Sequence, residues 1–545
     1  MRSTDSFPRR HLLADGLFLF FVAVYALAYL SGVVPLSAGG AVLDSDLCLY
    51  AQNMAGEDHP DLFVNDSVLC EGIPYNRIWT LLTFLAKLFT SGDDYGLGLL
   101  RSGALTIFLH FAAYYFLGRR LFGRPSLALL LSVVMGVTVY VGFGTFWGVM
   151  YSDPVPRVLY AALWPFLLLA ALHALDSPAW RPIVMLFAGI GIYVQSVSAL
   201  TVGAMLFMAF FLHVSGVRKY GSHSVNCALC LLLFFIPVLS FLWPSYSKEW
   251  TLSSADLDIL RQLLNRRFAQ DFGALGESLV RMFSHDNSLP QIFCGGFFGW
   301  LIVMFRGQGL ARKLAKMYPG FLLGIAFTVF CSWAEAKWAM RTGHLQFGYE
   351  LMRSLRFLVP LSWLMALSAI ACFWPRLYNG ARFLIVAATV SGILLLSHDR
   401  QQLAIVSAFS QGADISLPLR EEIREGRRSA ELYREALERL HNAVPVGEPV
   451  FGNGDYLAVR YLAMRPLVHS FRDGYFYYYK RDVPGARDWL RYTAMMENNP
   501  TGYIEAWRDS GARWLLSDRS QDKALLMPYG DIFWENAGWI IARKR

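Results

Sequence analysis

The chain has 545 residues, is 55% hydrophobic and 15% aromatic, and carries charge on only 17% of its positions. Soluble domains average about 25% charged residues, so this composition excludes an ordinary soluble protein and makes the lipid bilayer the first partner. The net charge of +8 does not point to nucleic acid, because Lys and Arg fall in short clusters between apolar stretches, as in the inward-facing loops of membrane proteins.

About 20 apolar residues cross the hydrocarbon core. By that measure spans are predicted near 16–34, 98–117, 126–147, 157–175, 182–196, 198–215, 225–244, 290–305, 318–336, 355–374 and 381–397. The first apolar stretch is longer than the 7–15 residues of a signal core, so it reads as an uncleaved helix. The fifth and sixth spans could be one long helix. A turn at Gln195-Ser196-Val197-Ser198 puts Arg9/Arg10, Arg119/Arg120/Arg124, Arg181, Arg218/Lys219, Arg306/Arg312/Lys313/Lys316 and Arg376/Arg382 on one side, whereas merging the two breaks that pattern. The expected fold is therefore a polytopic α-helical membrane protein of about 11 transmembrane helices, with the N-terminus inside.

Between these spans lie three external segments. The first loop, 35–97, contains Tyr75 to Thr90, where Ile78, Leu81, Leu82, Leu85 and Leu88 recur at the spacing of a helix lying on the membrane surface. The loop 246–289 carries an amphipathic stretch from Ala255 to Phe283, and 335–354 is short, aromatic and charged. Residues 1–398 thus form a transmembrane domain, and 399–545 turn soluble in character. There Arg420 to His441 is a charged amphipathic helix, Pro449-Val450-Phe451, Trp514-Leu515-Leu516 and Trp539-Ile540-Ile541-Ala542 are strands, and helices near 456–464, 485–497 and 500–510 alternate with them. That alternation predicts a C-terminal external α/β domain.

Candidate chemistry starts at Asp44 and Asp46, in Asp44-Ser45-Asp46-Leu47-Cys48-Leu49-Tyr50, just beyond the first span. Carboxylates in a semi-enclosed site can act as general base or hold a divalent ion, Mg or Mn, that neutralises a leaving phosphate. A D-x-D alone is a weak motif that reads first as a solvated loop, and its place at the outer face of the membrane, ahead of apolar Leu47, Leu49 and Tyr50, strengthens it. Asp153 and Arg157 flank two prolines in Tyr151-Ser152-Asp153-Pro154-Val155-Pro156-Arg157, which fix the turn between two spans. They could complete a site with the first pair, or pair with each other in a stiff hairpin. The segment 335–356 carries Glu335, Lys337, Arg341, His344, Glu350, Arg353 and Arg356. Arg353 and Arg356 share a helix face on the side that basic residues otherwise avoid, and a guanidinium fork suits phosphate. Cys48 and Cys70 both fall in the first loop, either as a disulfide or as two separate thiols. Asn65-Asp66-Ser67 fits a glycosylation acceptor, which matters only in a eukaryotic secretory compartment.

Together these residues resemble the C-type (GT-C) membrane glycosyltransferase superfamily, which includes oligosaccharyltransferases, protein O-mannosyltransferases and aminoarabinose transferases. Asp44-Ser45-Asp46 matches its acidic first-loop motif. Asp153 stands where some members place a second acidic residue, and Glu350-Leu-Met-Arg353-Ser-Leu-Arg356 is similar to the arginine-bearing start of a late span. The Trp-Trp-Asp signature of oligosaccharyltransferases is missing from 399–545. The resemblance implies an enzyme of the bacterial inner membrane with a periplasmic C-terminal domain. Its donor would be a sugar on a polyprenyl-(di)phosphate carrier and its acceptor a glycan, lipid or protein. Asp44 or Asp46 would be the base, the outer-face arginines would bind the carrier phosphate, and no cofactor beyond a possible divalent cation is implied. A flippase or transporter, or a scaffold for surface-glycan assembly, are the alternatives. A transporter would place ionisable residues at mid-span, whereas here they stand at span ends.

Overall fold

The computed structural model describes residues 12–43, 45–70, 80–142, 145–150, 153–213, 220–249, 251–268, 277, 280, 288–346, 348–396, 400–410 and 420–545. In chain order the first part runs α1 (Leu12–Leu36), α2 (Ser45–Asp58), α3 (Thr80–Phe89), α4 (Tyr95–Phe122) and α5 (Pro125–Gly136). A hairpin of β1 (Val139–Gly142) and β2 (Thr145–Trp147) follows, then α6 (Pro156–Ala174), α7 (Arg181–Ile190), α8 (Ser196–Leu212) and α9 (Tyr220–Glu249). Helix α10 (Ser254–Phe268) lies in the second long loop. After it come α11 (Leu289–Arg306), α12 (Gly309–Thr342), a 3-10 segment (Tyr349–Phe357), α13 (Leu358–Phe373), α14 (Asn379–Leu396) and α15 (Arg400–Ser410).

Every predicted span overlaps a helix. Among the described residues, seven helical stretches are long and apolar enough to cross a membrane: α1, α4, α6, α11, α12, Gly221–Trp243 within α9, and Glu350–Arg376 around α13. Helices α5 and α8 are shorter, with 12 and 17 residues. The third predicted span, 126–147, needs correction, because its helix stops at Gly136 and the rest folds back as β1 and β2, paired antiparallel with Val139 opposite Trp147. The run Val137-Thr138-Val139-Tyr140-Val141 is β-branched and aromatic, and an apolar run of that length suits a strand as well as a helix. The proposed break between α7 and α8 is real. Gln195 caps α8 by accepting the Ser198 N–H at 2.6 Å.

Close helix packing depends on small residues. A side chain at Gly320 or Gly324 of α12 would collide with the backbone of Ala209 or Met205 on α8, so two glycines four apart let the helices touch.

The C-terminal part comprises α16 (Arg420–Ala443), β3 (Val450–Gly452), α17 (Ala458–Tyr461), α18 (Asp473–Lys480), α19 (Val483–Asn498), α20 (Gly502–Asp509), β4 (Trp514–Ser517), α21 (Lys523–Leu526), β5 (Gly530–Glu535) and β6 (Ile540–Lys544). The strand order is β3-β4-β6-β5, with β3 and β4 parallel and the other pairs antiparallel. Three of these strands are legible in the sequence. The fourth, β5, alternates buried and exposed positions and carries charge at both ends.

This part does not stand alone. The Arg460 guanidinium is fully buried and donates all five of its N–H bonds: Nε to Asp66 (2.7 Å), Nη1 to Gln52 (2.9 Å) and Asp473 (2.6 Å), and Nη2 to Asp473 (3.0 Å) and the Leu467 carbonyl (3.0 Å). Two of those partners, Gln52 and Asp66, belong to the first loop. Tyr461 Oη donates to the carbonyls of Gly40 and Ala41, and Ser67 pairs with Tyr477 Oη at 2.6 Å. The first loop and the C-terminal part therefore share one polar seam. Of the two readings of Cys48 and Cys70, the structure has separate thiols: the Cys48 thiol is turned to the Leu43 carbonyl and Tyr461 Oη, while Cys70 is exposed.

Candidate functional site

Asp44 lies outside the described residues. Ser45 opens α2, and Asp46 sits in its first turn, where a carboxylate complements the positive end of the helix dipole. The aspartate is thus aimed by a helix instead of the loop that the sequence suggests. Its carboxylate lies 3.9 Å from Arg157 Nη2 and 3.7 Å from Arg472 Nη1, and its side chain is 42% exposed. Arg157 stands at the start of α6, with its guanidinium 4.1 Å from the centroid of the Phe146 ring on β2.

These residues open into a cavity of about 160 Å³ lined by Asp46, Tyr50, Arg157, Glu350, Arg353 and Arg356, and also by Gln195, Arg267, Arg472 and Tyr475. Arg353 Nη1 donates to Glu350 Oε1 at 2.9 Å. Arg356 is buried, and its hydrogen bonds go to neutral oxygens: Ser198 Oγ (2.6 Å), Gln195 Oε1 (3.0 Å) and Thr145 Oγ1 (3.4 Å). The hairpin absent from the sequence reading thus has a clear use. Thr145 steadies Arg356, Phe146 lies under Arg157, and Trp147 packs edge-on against Phe357, next to Arg356.

Burial pushes the Tyr50 phenol well above its ordinary pKa, with the Asp46 carboxylate adding to the effect and Arg157 opposing it. Burial does the same to Tyr475, helped by Glu350. Both phenols are therefore protonated O–H groups beside the carboxylates.

Other expected site residues fall elsewhere. Asp153 is buried and accepts the Tyr29 hydroxyl at 2.8 Å, joining α1 to the turn before α6, and it does not line the cavity. Glu335 accepts the Gly348 N–H at 2.5 Å and lines a separate, mostly apolar groove of about 520 Å³. That groove runs between α8, α9 and α12 and shares Glu350 and Tyr475 with the cavity. Lys337 and Arg341 are exposed on α12 and line neither space. His344 stacks on Trp338 and faces Glu249 at 3.3 Å, and Glu249 is also held by Arg481 at 3.2 Å. Arg267, at the end of α10, and Arg472, just before α18, were missed. In the sequence each is one charge among many in polar segments, and only the fold turns them inward.

Helix polarity separates the cavity from the basic clusters. Asp46 follows the C-terminal end of α1, Arg157 opens α6, Gln195 and Ser198 open α8, Glu350 follows α12, and Arg356 precedes α13. The basic groups stand at the opposite ends of these helices. Arg119 pairs with Asp15 at the start of α1, Lys313 near the start of α12 pairs with Asp176 just beyond α6, and Arg306 and Arg376 flank Phe373 at the end of α13.

Among the described residues no group of three His, Cys, Asp or Glu side chains converges to hold a metal ion. Asp46 lies 3.9 Å from Arg157 and 3.7 Å from Arg472, and Asp44, the other carboxylate of the acidic motif, lies outside the described residues.

No family model and no curated protein matches the sequence. Among solved structures, the archaeal oligosaccharyltransferase AglB from Archaeoglobus fulgidus, in complex with an inhibitory peptide and a dolichol-phosphate, is 14% identical with a TM-score of 0.46, the match covering 97% of this chain and 74% of that one. ArnT from Cupriavidus metallidurans in the apo state is 12% identical with a TM-score of 0.45, covering 97% and 98% of the two chains. Both belong to the C-type superfamily that the sequence resembles. At these identities and TM-scores no residue role, substrate or fold detail is carried across, and the function is argued from this chain's own residues.

Proposed function

We propose that this chain is a polytopic membrane glycosyltransferase that moves a sugar from a polyprenyl-(di)phosphate carrier to a glycan, lipid or protein acceptor. The reading assigns the site to the outer face of a bacterial inner membrane, because the basic clusters mark the inner side. One observation carries it: a single cavity joins the Asp46 carboxylate to Arg157, Arg353 and Arg356, and shares a wall with an apolar groove. A carrier's isoprenoid tail suits the groove and its phosphate suits the arginines.

In this reaction the acceptor oxygen attacks the anomeric carbon of the sugar and gives its proton to Asp46. The bond from that carbon to the carrier oxygen breaks, and its electron pair leaves with the phosphate. Arg353 and Arg356 meet the growing negative charge. Because Arg356 is held by neutral oxygens, its charge is not cancelled by a direct partner, and a fixed, buried cation lowers the barrier without reorganising. Tyr50 and Tyr475, kept protonated, can donate hydrogen bonds to sugar or phosphate oxygens. The C-terminal part contributes Arg472 and Tyr475 directly to the same cavity.

The test is sugar transfer by the purified chain in membranes supplied with labelled polyprenyl-phosphate and polyprenyl-diphosphate sugars. Asp46→Asn is expected to slow transfer by about 10²–10⁴-fold while carrier binding persists. Undiminished transfer by Asp46→Asn would overturn the assignment of the base.

A further inference from the structure

Helix α5 stops inside the bundle, and its last carbonyls need donors from elsewhere. Its 12 residues make a helix about 18 Å long, short of the roughly 30 Å hydrocarbon core. The final carbonyls of a helix have no partner within it, and hydrocarbon supplies none. Three of them are served by the protein. The Val134 carbonyl accepts the Val137 N–H at 3.2 Å, and the Gly136 carbonyl accepts those of Val149 and Met150 at 3.1 and 3.3 Å. Between them, the Met135 carbonyl meets two side chains, His110 Nε2 and Trp147 Nε1, each at 3.2 Å.

That double contact joins three elements. His110 stands on α4 and is fully buried, Met135 lies in the last turn of α5, and Trp147 ends β2. The join is tight. A side chain at Gly136 would collide with the ring of Phe111, the neighbour of His110, and the Phe111 carbonyl accepts Ser132 Oγ at 2.7 Å. From Trp147 the path to the cavity is short, because Thr145 and Phe146, its neighbours on β2, touch Arg356 and Arg157. The hairpin thus helps to set where two of the cavity's arginines stand.

The chemistry of the ring shows which of its atoms matters. A carbonyl only accepts, so His110 Nε2 carries the hydrogen and Nδ1 is bare. Nδ1 is buried and has no hydrogen-bond partner. A buried acceptor left unsatisfied is costly, and leucine or phenylalanine would occupy the place without that cost. What histidine adds is the Nε2 donor.

We propose that His110 is a positioning residue for the cavity. Its Nε2–H holds the end of α5 and, through Met135 and Trp147, the hairpin that places Arg356 and Arg157. The inference rests on the glycosyltransferase reading for its functional readout, and the link from His110 to the hairpin is read separately.

The test uses the full chain in nanodiscs. Geranylgeranyl phosphate, the kind of monoester left when the sugar departs, is titrated calorimetrically into wild type, H110L, H110Q, R356Q and H110L/R356Q. Nitrogen NMR of isotope-labelled histidine and tryptophan follows the His110 ring and the Trp147 indole, whose signals are identified by their loss in H110Q and W147F. H110L is expected to weaken lipid binding about tenfold with its unfolding midpoint near that of wild type, because Met135 keeps the Trp147 donor. H110Q, whose amide nitrogen can stand near the place of Nε2, should restore most of the affinity. Because His110 acts through the placement of Arg356, H110L should cost less in the R356Q background than alone. The His110 ring should carry hydrogen on Nε2 only, and the Trp147 signal should move in H110L and stay in H110Q.

Wild-type affinity in H110L overturns the proposal. So does a midpoint that falls together with the affinity, an H110Q as weak as H110L, or losses that multiply in the double variant. Hydrogen on Nδ1, or a Trp147 signal unmoved in H110L, overturns it whatever the binding data. A wild type that binds no lipid, with the Trp147 signal moved in H110L and restored in H110Q, removes the carrier reading alone and supports the hold of His110 on the hairpin.

Discussion

Arg472 and Asp46 come from opposite ends of the chain, yet their charged groups stand 3.7 Å apart across the floor of one cavity. Arg157 approaches the same carboxylate from α6 at 3.9 Å. Two cations flank Asp46 from different parts of the chain, and its carboxylate is the proton acceptor of the proposed reaction. Asp46→Asn keeps the shape and the contacts but removes the base. Its turnover is expected to fall by about 10²–10⁴-fold, with carrier affinity little changed, as measured by transfer of a labelled sugar and by carrier titration. Asp44→Asn is expected to cost less, and an equal or greater loss there would move the base to Asp44.

The seam around Arg460 makes a prediction about folding instead of chemistry. Asp473 and Asp66 overcome the burial that would otherwise lower it, and hold the Arg460 guanidinium above its ordinary pKa. Arg460→Met leaves two carboxylates in a dry space with no cation, a loss of about 3–5 kcal/mol. The first loop and the C-terminal part should then separate together. Limited proteolysis should cut the variant on both sides of the seam under conditions where wild type resists, and a wild-type pattern would count against the seam as a stabilising contact.

The same seam explains what the sequence could convey. Apolar runs of membrane length are self-contained signals, so each predicted span overlaps a helix. Arg353, Arg356 and Glu350 were also legible, because charges at the mouth of a span have few structural uses. Asp66 reads as the middle of a glycosylation motif, whereas in the fold it is a buried ion-pair partner. Arg267 and Arg472 gain their role only from long-range packing, which leaves no local period. The hairpin Val139–Trp147 is not legible as such because hydrophobicity alone does not separate a strand from a span, and Asp153, which could have completed a site with Asp46, accepts the Tyr29 hydroxyl.

His469 gives a pH dependence with a definite sign. It is buried among Phe451, Trp489 and Tyr492, and its Nε2 meets Thr493 Oγ1 at 3.1 Å. Burial, aided by the Arg460 charge, pushes its pKa down to about 3, against about 6.5 in an unfolded chain. Between those values the unfolded state binds more protons, so stability is complete above about pH 6.5 and is lost as pH falls. The slope is about 1.4 kcal/mol per pH unit until it flattens near the folded value. Thermal unfolding from pH 7 to pH 4 should show this fall, and His469→Phe should make it shallower. An identical slope in the variant would exclude His469 as the titrating group.

Gly324 tests the helix packing. A side chain there meets the Met205 backbone on α8, and backbone cannot rotate away as a side-chain tip can. Gly324→Ala should cost about 1–3 kcal/mol, as overpacking does elsewhere. A matching change at Gly295, where nothing lies within 4 Å of the added atom, should leave the midpoint of unfolding in detergent almost unmoved. Equal effects at the two glycines would contradict the close approach of α8 and α12.

Arg356 separates charge from geometry. Its guanidinium bridges Thr145 of the hairpin, Gln195 before α8 and Ser198 within α8, and a lysine ammonium cannot span three oxygens from one fixed plane. Arg356→Lys therefore keeps the positive charge but loses its placement. The bound donor carries less negative charge than the departing carrier, so the contact strengthens as the bond breaks, and the damage should appear in kcat more than in KM. Arg356→Gln should lower kcat by about 10²–10³-fold, and Arg356→Lys should recover only part of that loss while unfolding at the wild-type temperature. Full recovery by lysine would show that charge alone suffices. A rise in KM with kcat unchanged would assign Arg356 to uniform binding of the carrier instead of the step in which its phosphate leaves.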